Sequence, residues 1–454
     1  MKIHFIAIGG SAMHNLAIAL HKKGFTVTGS DDIIFEPSVS RLKKHGLLPE
    51  QYGWFPEKIT KDLNAVILGM HARTDNPELL MAQRLGVKVY SYPEYIYEQS
   101  KDKLRVVIGG SHGKTTITSM ILHVLQHAGM AFDYLVGAQL EGFDTMVSIT
   151  DAPLIVIEGD EYLASPIDRR PKFHLYKANI AVISGIAWDH INVFPTFANY
   201  VEQFQKFIET ITVGGTLVYN QSDEVLNEMV IKDLSEINKL SYTLPEYEIR
   251  DGITYIMYES KAYRLNVFGQ HNLSNIEAAR IVCNKLGIDT YNFYEYISTF
   301  KGAARRLELL GSKGDVNVYK DFAHSPSKLR ATIAAVKTQY PGRKLIACME
   351  LHTFSSLNAD FLNEYSGSMD LADEAVVFID LKTFQQKQME PYPAETVKDA
   401  FKRDDLIFYN TPENIVKLFE NIQPHNVTIL MMSSGNFGGI DLNQLTQNIL
   451  KKIF

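Results

Sequence analysis

Cysteine is scarce in this chain: two residues in 454, Cys283 and Cys348, each inside an apolar run. Neither a disulfide framework nor a thiolate zinc site can be built from them, and both read as core residues. No apolar run approaches the roughly 18 residues of a membrane span. The apolar start, Met1–Gly10, breaks at a glycine pair without a cleavage-site pattern. It reads as a strand and not a signal peptide, and a cytoplasmic location is expected. Basic residues are not in excess: 45 Lys and Arg stand against 52 Asp and Glu, a net charge of −7. This excludes general binding to nucleic acid or to an anionic membrane, so any anionic ligand must be met by a local site. Fixed-period repeats and low-complexity tracts are also missing. What is present, 46% hydrophobic and 21% charged residues, suits a globular protein too long for one core and sized for two to four domains.

Short apolar runs alternate with helical stretches along most of the chain. Ile3–Ile8, Thr26–Thr28, Ala65–Leu68 and Val87–Tyr90 read as buried parallel strands, with a helix over 11–23. The polar Gln99–Lys103 reads as a linker. A second region follows, with strands near 105–109, 154–158 and 180–184 and helices near 114–128 and 197–210. Alternating segments between about 236 and 268 predict small antiparallel hairpins decorating it. After Phe300–Ala303, strands near 316–319, 344–349, 374–378 and 427–432 interleave with helices. The expected boundaries are 1–101, 102–302 and 303–454, three units that are all α/β.

The central feature is Val106-Val107-Ile108-Gly109-Gly110-Ser111-His112-Gly113-Lys114-Thr115-Thr116. A β-branched run enters a glycine turn where a helix should begin. Glycines let backbone N–H groups approach a polyphosphate, the helix N-terminus attracts anions, Lys114 meets phosphate charge and Thr115 can hold Mg²⁺. The spacing is one residue tighter than a Walker A motif, and a plain glycine turn before an ordinary helix is the alternative. Glu158-Gly159-Asp160-Glu161 places three carboxylates at the end of a buried strand, costly to gather without a cation and suited to Mg²⁺.

Other constellations are more open. Gly9-Gly10-Ser11-Ala12-Met13, with Asp31 after the second strand in Gly29-Ser30-Asp31, approximates a dinucleotide fingerprint. Ala7 and Ala12 stand at two of its three glycine positions, so a nucleotide diphosphate fits as well as a nicotinamide cofactor, and a bare β-α turn fits too. Gly269-Gln270-His271-Asn272-Leu273-Ser274-Asn275 can cap a helix or read an adenine edge. Asp189-His190 alone is more often a structural pair. Ser433–Gly439 is either a tight turn or a backbone cradle for an anion.

Taken in order, these motifs resemble the Mur ligase family, ATP-dependent amide-forming enzymes of peptidoglycan metabolism. The landmarks are Gly110-x-His112-Gly113-Lys114-Thr115-Thr116, Glu158-x-Asp160-Glu161, Asp189-His190, His271-Asn272-x-x-Asn275, Arg306 before Leu-Glu, and Asp321-x-x-His324-x-Pro326. They run along essentially the whole chain, and the resemblance implies three α/β domains: an N-terminal Rossmann-like unit, a central P-loop ATPase-type unit and a C-terminal Rossmann-like unit. Within the family, three segments resemble the branch that joins UDP-N-acetylmuramate to the recycled murein tripeptide L-alanyl-γ-D-glutamyl-meso-diaminopimelate. These are Asp160-Glu161-Tyr162 leading to Asp168–Phe173, Asp189–Phe194, and Ser434–Ile440. Leu163–Ile167, His324-Ser325 and Glu350–Phe354 depart from that branch, the last leaning toward the enzyme that adds free L-alanine. That enzyme is the alternative, and a nicotinamide-dependent oxidoreductase a distant one.

The resemblance implies a reaction and a set of roles. A carboxylate attacking ATP brings like charges together, at roughly 4 kcal/mol per unit pair about 4 Å apart in an effective dielectric near 20. Lys114 and Mg²⁺ would offset that repulsion, with Thr115, Glu158 and His190 on the metal and Arg306 on the transferring phosphoryl group. The acyl phosphate is then opened by the acceptor's amine, releasing phosphate. Gly110, His112, Gly113, Lys114, Thr115 and Thr116 would hold the ATP phosphates, with His271, Asn275, Arg306 and Asp321 as further ATP contacts. Gly9, Gly10, Ser11, Ala12, Met13, Ser30, Asp31, His71 and Arg73 are candidates for the UDP end. Asp160, Glu161, Arg169 and His324 are the remaining substrate candidates.

Overall fold

The structure is a computed structural model that describes residues 1–140, 142–189, 192–303 and 306–453. Twenty strands in four sheets carry the fold among these residues. The first apolar runs form a parallel sheet of β1 (Lys2–Ile6), β2 (Thr26–Ser30), β3 (Ala65–Leu68) and β4 (Val89–Ser91), ordered β2-β1-β3-β4. Burial explains the run-like sequence: Ile3, Phe5, Ile6 and all of Ala65–Leu68 are almost fully shielded, as parallel strands covered on both faces require.

A second sheet contains β5 (Leu104–Gly109), β6 (Asp133–Leu135), β7 (Val147–Ser148), β8 (Leu154–Glu158), β9 (Ile180–Ile183), β10 (Thr216–Asn220) and β11 (Asn238–Tyr242). Its order is β11-β10-β9-β5-β8-β6-β7, parallel except for β7. Register decides what this sheet presents at its carboxyl edge. Ile108 lies opposite Glu158 on one side, and Gly109 opposite Ile183 on the other. The glycine turn, the acidic segment and the loop after β9 therefore emerge side by side, where ligands bind in open α/β sheets.

Strands β12 (Tyr247–Arg250), β13 (Ile253–Tyr258) and β14 (Lys261–Arg264) form a small antiparallel sheet. The last sheet holds β15 (Glu308–Lys313), β16 (Val316–Asp321), β17 (Lys344–Glu350), β18 (Glu374–Phe378), β19 (Ile407–Tyr409) and β20 (Val427–Met432), ordered β15-β16-β20-β17-β18-β19. Only β15 runs antiparallel.

By contacts the chain forms two bodies. One comprises Met1–Ile186, Thr196–Thr243 and Ala278–Phe293, with the first two sheets; the other comprises Ala187–Pro195, Leu244–Glu277 and Tyr294–Phe454, with the last two. The expected antiparallel hairpins form, and by contacts they group with the second body. Thr254 donates to Gln339 Oε1 at 2.9 Å, and Gln339 Nε2 donates to the Gly252 carbonyl at 2.7 Å. Only the first segment of that stretch, β11, joins the central sheet, in parallel.

The polar Gln99–Lys103 is an ordered linker. The helix Tyr92–Ser100, opened by a Ser91–Glu94 capping box, runs through its first two residues, and Ser100 is buried. Arg105 then gathers the chain. Its Nη1 donates to the carbonyls of Ser100, Lys101 and Lys103, and its Nε to those of Tyr176 and Lys177, all within 3.0 Å. A buried guanidinium supplies the donors that hold these carbonyls.

Candidate active site

The turn after β5 can only be made by glycine at its first bend. Gly110 sits at φ +123°, and a Cβ there would lie 2.1 Å from Ser184 Oγ. Gly113, at φ +78°, is the residue before the helix Lys114–His127. Ser111 N donates to the Gly185 carbonyl at 3.0 Å, and the Ser184 hydroxyl to the His112 carbonyl. The loop after β9 thus braces the turn from behind. At the helix start, Thr115 and Thr116 are buried and Lys114 lies partly exposed. Lys114 Nζ donates to the Gly110 carbonyl and to Glu161 Oε2, both at 2.7 Å.

The acids after β8 have separate partners. Glu158 accepts from Thr115 Oγ1 at 2.8 Å and from Gly137 N at 2.7 Å. Asp160 accepts from Lys172 Nζ at 2.6 Å, and Glu161 from Lys114. Their titration follows. Burial raises Glu158 above the usual carboxylate range, against the pull of the Gly137 and Thr115 donors and Lys114. Asp160 is also raised by burial, but the Lys172 and Lys114 charges outweigh that and bring it to about 2. Burial would lower Lys114, yet the Glu161 and Asp160 charges leave it raised.

Glu158 is therefore the carboxylate that a cation would relieve. Its neighbour is a hydroxyl oxygen, and Mg²⁺ prefers such hard oxygen donors completed by phosphate and water. The pair fits Mg²⁺ on that ground. Among the described residues no cluster of three or more His, Cys, Asp or Glu side chains could hold a metal by itself. His190, the third expected metal ligand, lies outside the described residues; its neighbour Asp189 faces Lys328 at 3.7 Å.

In the first sheet, Asp31 Oδ2 accepts the Gly9 N–H at 2.7 Å. Burial raises the Asp31 carboxyl to about 6, against the Gly9 bond and with help from Asp32. Ala7, standing where the fingerprint has glycine, still adopts a left-handed φ of +66°. Gly10 precedes the helix Ser11–Lys22, with Ser11 and Ala12 exposed and Met13 buried. A Cβ on Gly10 would lie 3.8 Å from the His71 ring, so His71 joins this group. Ser30 Oγ is buried with no partner among the described residues. Arg73 is exposed and faces Asp75 at 3.6 Å.

The second body brings His271, Arg306 and Asp321 together. Burial lowers His271, with Asp321 opposing and Arg306 assisting, and its buried Nδ1 has no partner among the described residues. Asn275, four residues on, shares its helix face. Asp321 accepts the N–H groups of Leu307 and Ala323, each at 2.7 Å. Arg306 lies over the Phe322 ring at 4.7 Å. His324 is pushed down to about 3 by burial and then by Lys328, and its Nδ1 lies 2.9 Å from the Phe322 carbonyl.

Arg169 is exposed, while its neighbour Arg170 pairs with Asp168 at 2.6 Å and Glu94 at 3.3 Å. The Ser433–Gly439 turn is not an empty anion cradle: Glu350 of the same chain accepts from the Ser433 hydroxyl and from Phe437 N at 2.8 Å. Beside it opens a cavity of about 430 Å³ lined by Glu350, His352, Asp380, Lys382 and Asn436. Lys172, Gly137 and Tyr200 escaped the sequence reading. Tyr200 had a signal: its hydroxyl sits in an otherwise largely apolar stripe with Phe204, Phe207 and Ile208.

Three family descriptions match successive parts of the chain. "Mur ligase family, catalytic domain" covers residues 2–103, "Mur ligase middle domain" 108–283, and "Mur ligase, glutamate ligase domain" 305–435. The chain belongs to the Mur ligase family. Members are ATP-dependent, ADP-forming ligases that use Mg²⁺, and the α/β sheets of this chain follow the three-domain family fold.

Among relatives, this Mur ligase is 33% identical over 389 residues to a UDP-N-acetylmuramate–L-alanine ligase of Caldicellulosiruptor bescii, covering 83% of each chain. It is 32% identical over 466 residues to the enzyme of that name from Caldanaerobacter subterraneus, covering 98% of each. Among solved structures, a UDP-N-acetylmuramate-alanine ligase from Thermotoga maritima superposes with a TM-score of 0.69 at 21% identity, covering 100% of this chain and 99% of the other. A murein peptide ligase from Psychrobacter arcticus superposes with a TM-score of 0.66 at 22% identity and full coverage of both chains. These two likenesses establish fold. No helix among the described residues is long and apolar enough to cross a membrane.

Proposed function

We propose that this Mur ligase activates the lactyl carboxylate of UDP-N-acetylmuramate with ATP and joins it to the α-amine of L-alanine. The activity class rests on one observation, a glycine turn whose Thr115 meets the last acid of β8 and whose Lys114 meets an acid three residues beyond it. The acceptor rests on the L-alanine ligases to which the chain is about one-third identical over most of its length. They support free L-alanine better than the tripeptide expected from the sequence. That tripeptide is the second reading, favoured by Asp160-Glu161-Tyr162 and Ser434–Ile440. Both readings form the same bond, since the tripeptide also begins with L-alanine.

In this reading residues 1–101 bind the UDP end through Gly9–Met13, Ser30, Asp31, His71 and Arg73. The first glycine turn then serves a nucleotide diphosphate and not a nicotinamide. Residues 102–302 bind ATP, with Lys114 on the phosphates and Thr115, Glu158 and His190 around Mg²⁺. His271, Asn275 and Asp321 take the adenosine, Arg306 the transferring phosphoryl group, and residues 303–454 the acceptor through His324. Asp160 and Arg169 remain substrate candidates; Glu161 first serves Lys114. Water must be kept from the acyl phosphate, which it would hydrolyse.

The test is phosphate release with UDP-N-acetylmuramate and ATP, comparing L-alanine, the tripeptide and a lysine-containing tripeptide. Release of ADP and phosphate with L-alanine is expected. Turnover with tripeptide alone selects the second reading, and AMP with pyrophosphate overturns both.

A further inference from the structure

Beyond its contact with Lys114, Glu161 has a link to a different element. The Glu161 side chain is 1% exposed. Its Oε2 holds Lys114, and its Oε1 accepts from the Tyr200 hydroxyl at 3.2 Å. The Tyr200 oxygen lies 2.9 Å from Ser111 Oγ. Tyr200 is fully buried on the helix Phe197–Glu209, locked by edge packing on Phe204 at 5.2 Å between centroids. One tyrosine thus touches the start of the phosphate loop and the acid that holds the loop's lysine.

We propose that Tyr200 is a positioning residue for ATP: its hydroxyl holds Glu161 in place when the triphosphate draws Lys114 away. This rests on the ATP reading above. Phosphate and Glu161 compete for one ammonium group. A buried carboxylate that gives up its cation is costly unless other donors stay with it. Tyr200 belongs to a separate helix, so its donor stays when Lys114 turns to phosphate. A hydrogen bond to a carboxylate strengthens as that charge loses other compensation. The Tyr200–Glu161 bond is therefore worth more with phosphate bound than without, and the difference favours nucleotide. Ser111, on the loop itself, fixes where the tyrosine oxygen sits.

The experiment titrates the full chain with the Mg²⁺ complex of a non-hydrolysable ATP analogue and, separately, with AMP, which lacks the phosphates that Lys114 meets. Tyr200→Phe is expected to weaken the analogue about tenfold, the scale of one hydrogen bond to a charged group. AMP affinity should move less than about twofold. Glu161→Gln releases Lys114, so it should bind the analogue at least as tightly as the natural chain. In that background Tyr200→Phe should cost less than about twofold. If the natural chain does not bind the analogue, the ATP reading itself falls. If it binds and Tyr200→Phe matches it, weakens AMP equally, or costs the same beside Glu161→Gln, the role of Tyr200 is overturned. Should Tyr200→Phe fail to fold, Glu161→Gln decides alone: a tenfold loss of analogue affinity overturns the proposal.

Discussion

Lys114 and Asp31 show how much a single residue can tell from sequence. Lysine at the start of a helix after a glycine turn announces phosphate chemistry, and Lys114 stands at that helix start. Lys114→Ala is expected to lower turnover at least about 100-fold, the scale of one transition-state donor. Circular dichroism should stay unchanged, and near-normal turnover would remove the phosphate-loop assignment. The partner of that lysine was not legible, because Glu161 is 47 residues away and only strand register brings it near. Asp31 was legible as an acid after a strand, but its titration depends on burial. With its folded value raised to about 6 from an ordinary 3.8, the folded chain binds more protons than the unfolded one between those values. The Asp31 contribution is thus fully present below about pH 3.8 and lost as pH rises through 6. Asp31→Asn should flatten that falling limb in urea denaturation curves taken from pH 4 to 7, and an unchanged slope would show that the acid carries no such linkage.

At the scale of elements, apolar runs identified most buried strands because parallel strands hide both faces. The strands that escaped include β6, β7 and β19, each of two or three residues, the five-residue β10, and β15, an antiparallel edge strand with two exposed leading residues. Gln99–Lys103 is the expected linker by position, between family matches that end at 103 and begin at 108, yet it is an ordered one. Polar composition reports solvation of side chains, whereas the order of this stretch comes from carbonyls that Arg105 gathers. Arg105→Ala would leave several carbonyls without a donor, at about 1–3 kcal/mol for each that water cannot reach. The expected loss is about 3 kcal/mol in the urea transition of the first body, followed by tryptic cleavage at Lys101 or Lys103. Resistance to trypsin in that variant would mean that the capping box of the preceding helix suffices.

For the whole molecule, motif order along the chain was enough to place it in its family, but not to assign the 247–264 sheet to a body. Sequence neighbourhood puts that sheet with the central region, as does the middle-domain match over 108–283, while contacts group it with the C-terminal sheet. The contact that decides this is between residues 85 apart, Thr254 and Gln339, and both are buried, at 1% and 4% exposure. No local pattern encodes such a pair, since a glutamine on a helix reads as surface. Gln339→Ala would strand the Thr254 hydroxyl and the Gly252 carbonyl, a cost of about 2 kcal/mol. If the small sheet is held through this pair, amide exchange across 253–264 should speed up by roughly 30-fold, the rate equivalent of that energy. Exchange in β5 and β8 of the other body should not change. Uniform acceleration across both bodies would mean that the sheet opens only with global unfolding, and no change at all would mean that Phe268, packed on Tyr319 at 5.5 Å, holds the segment without the glutamine.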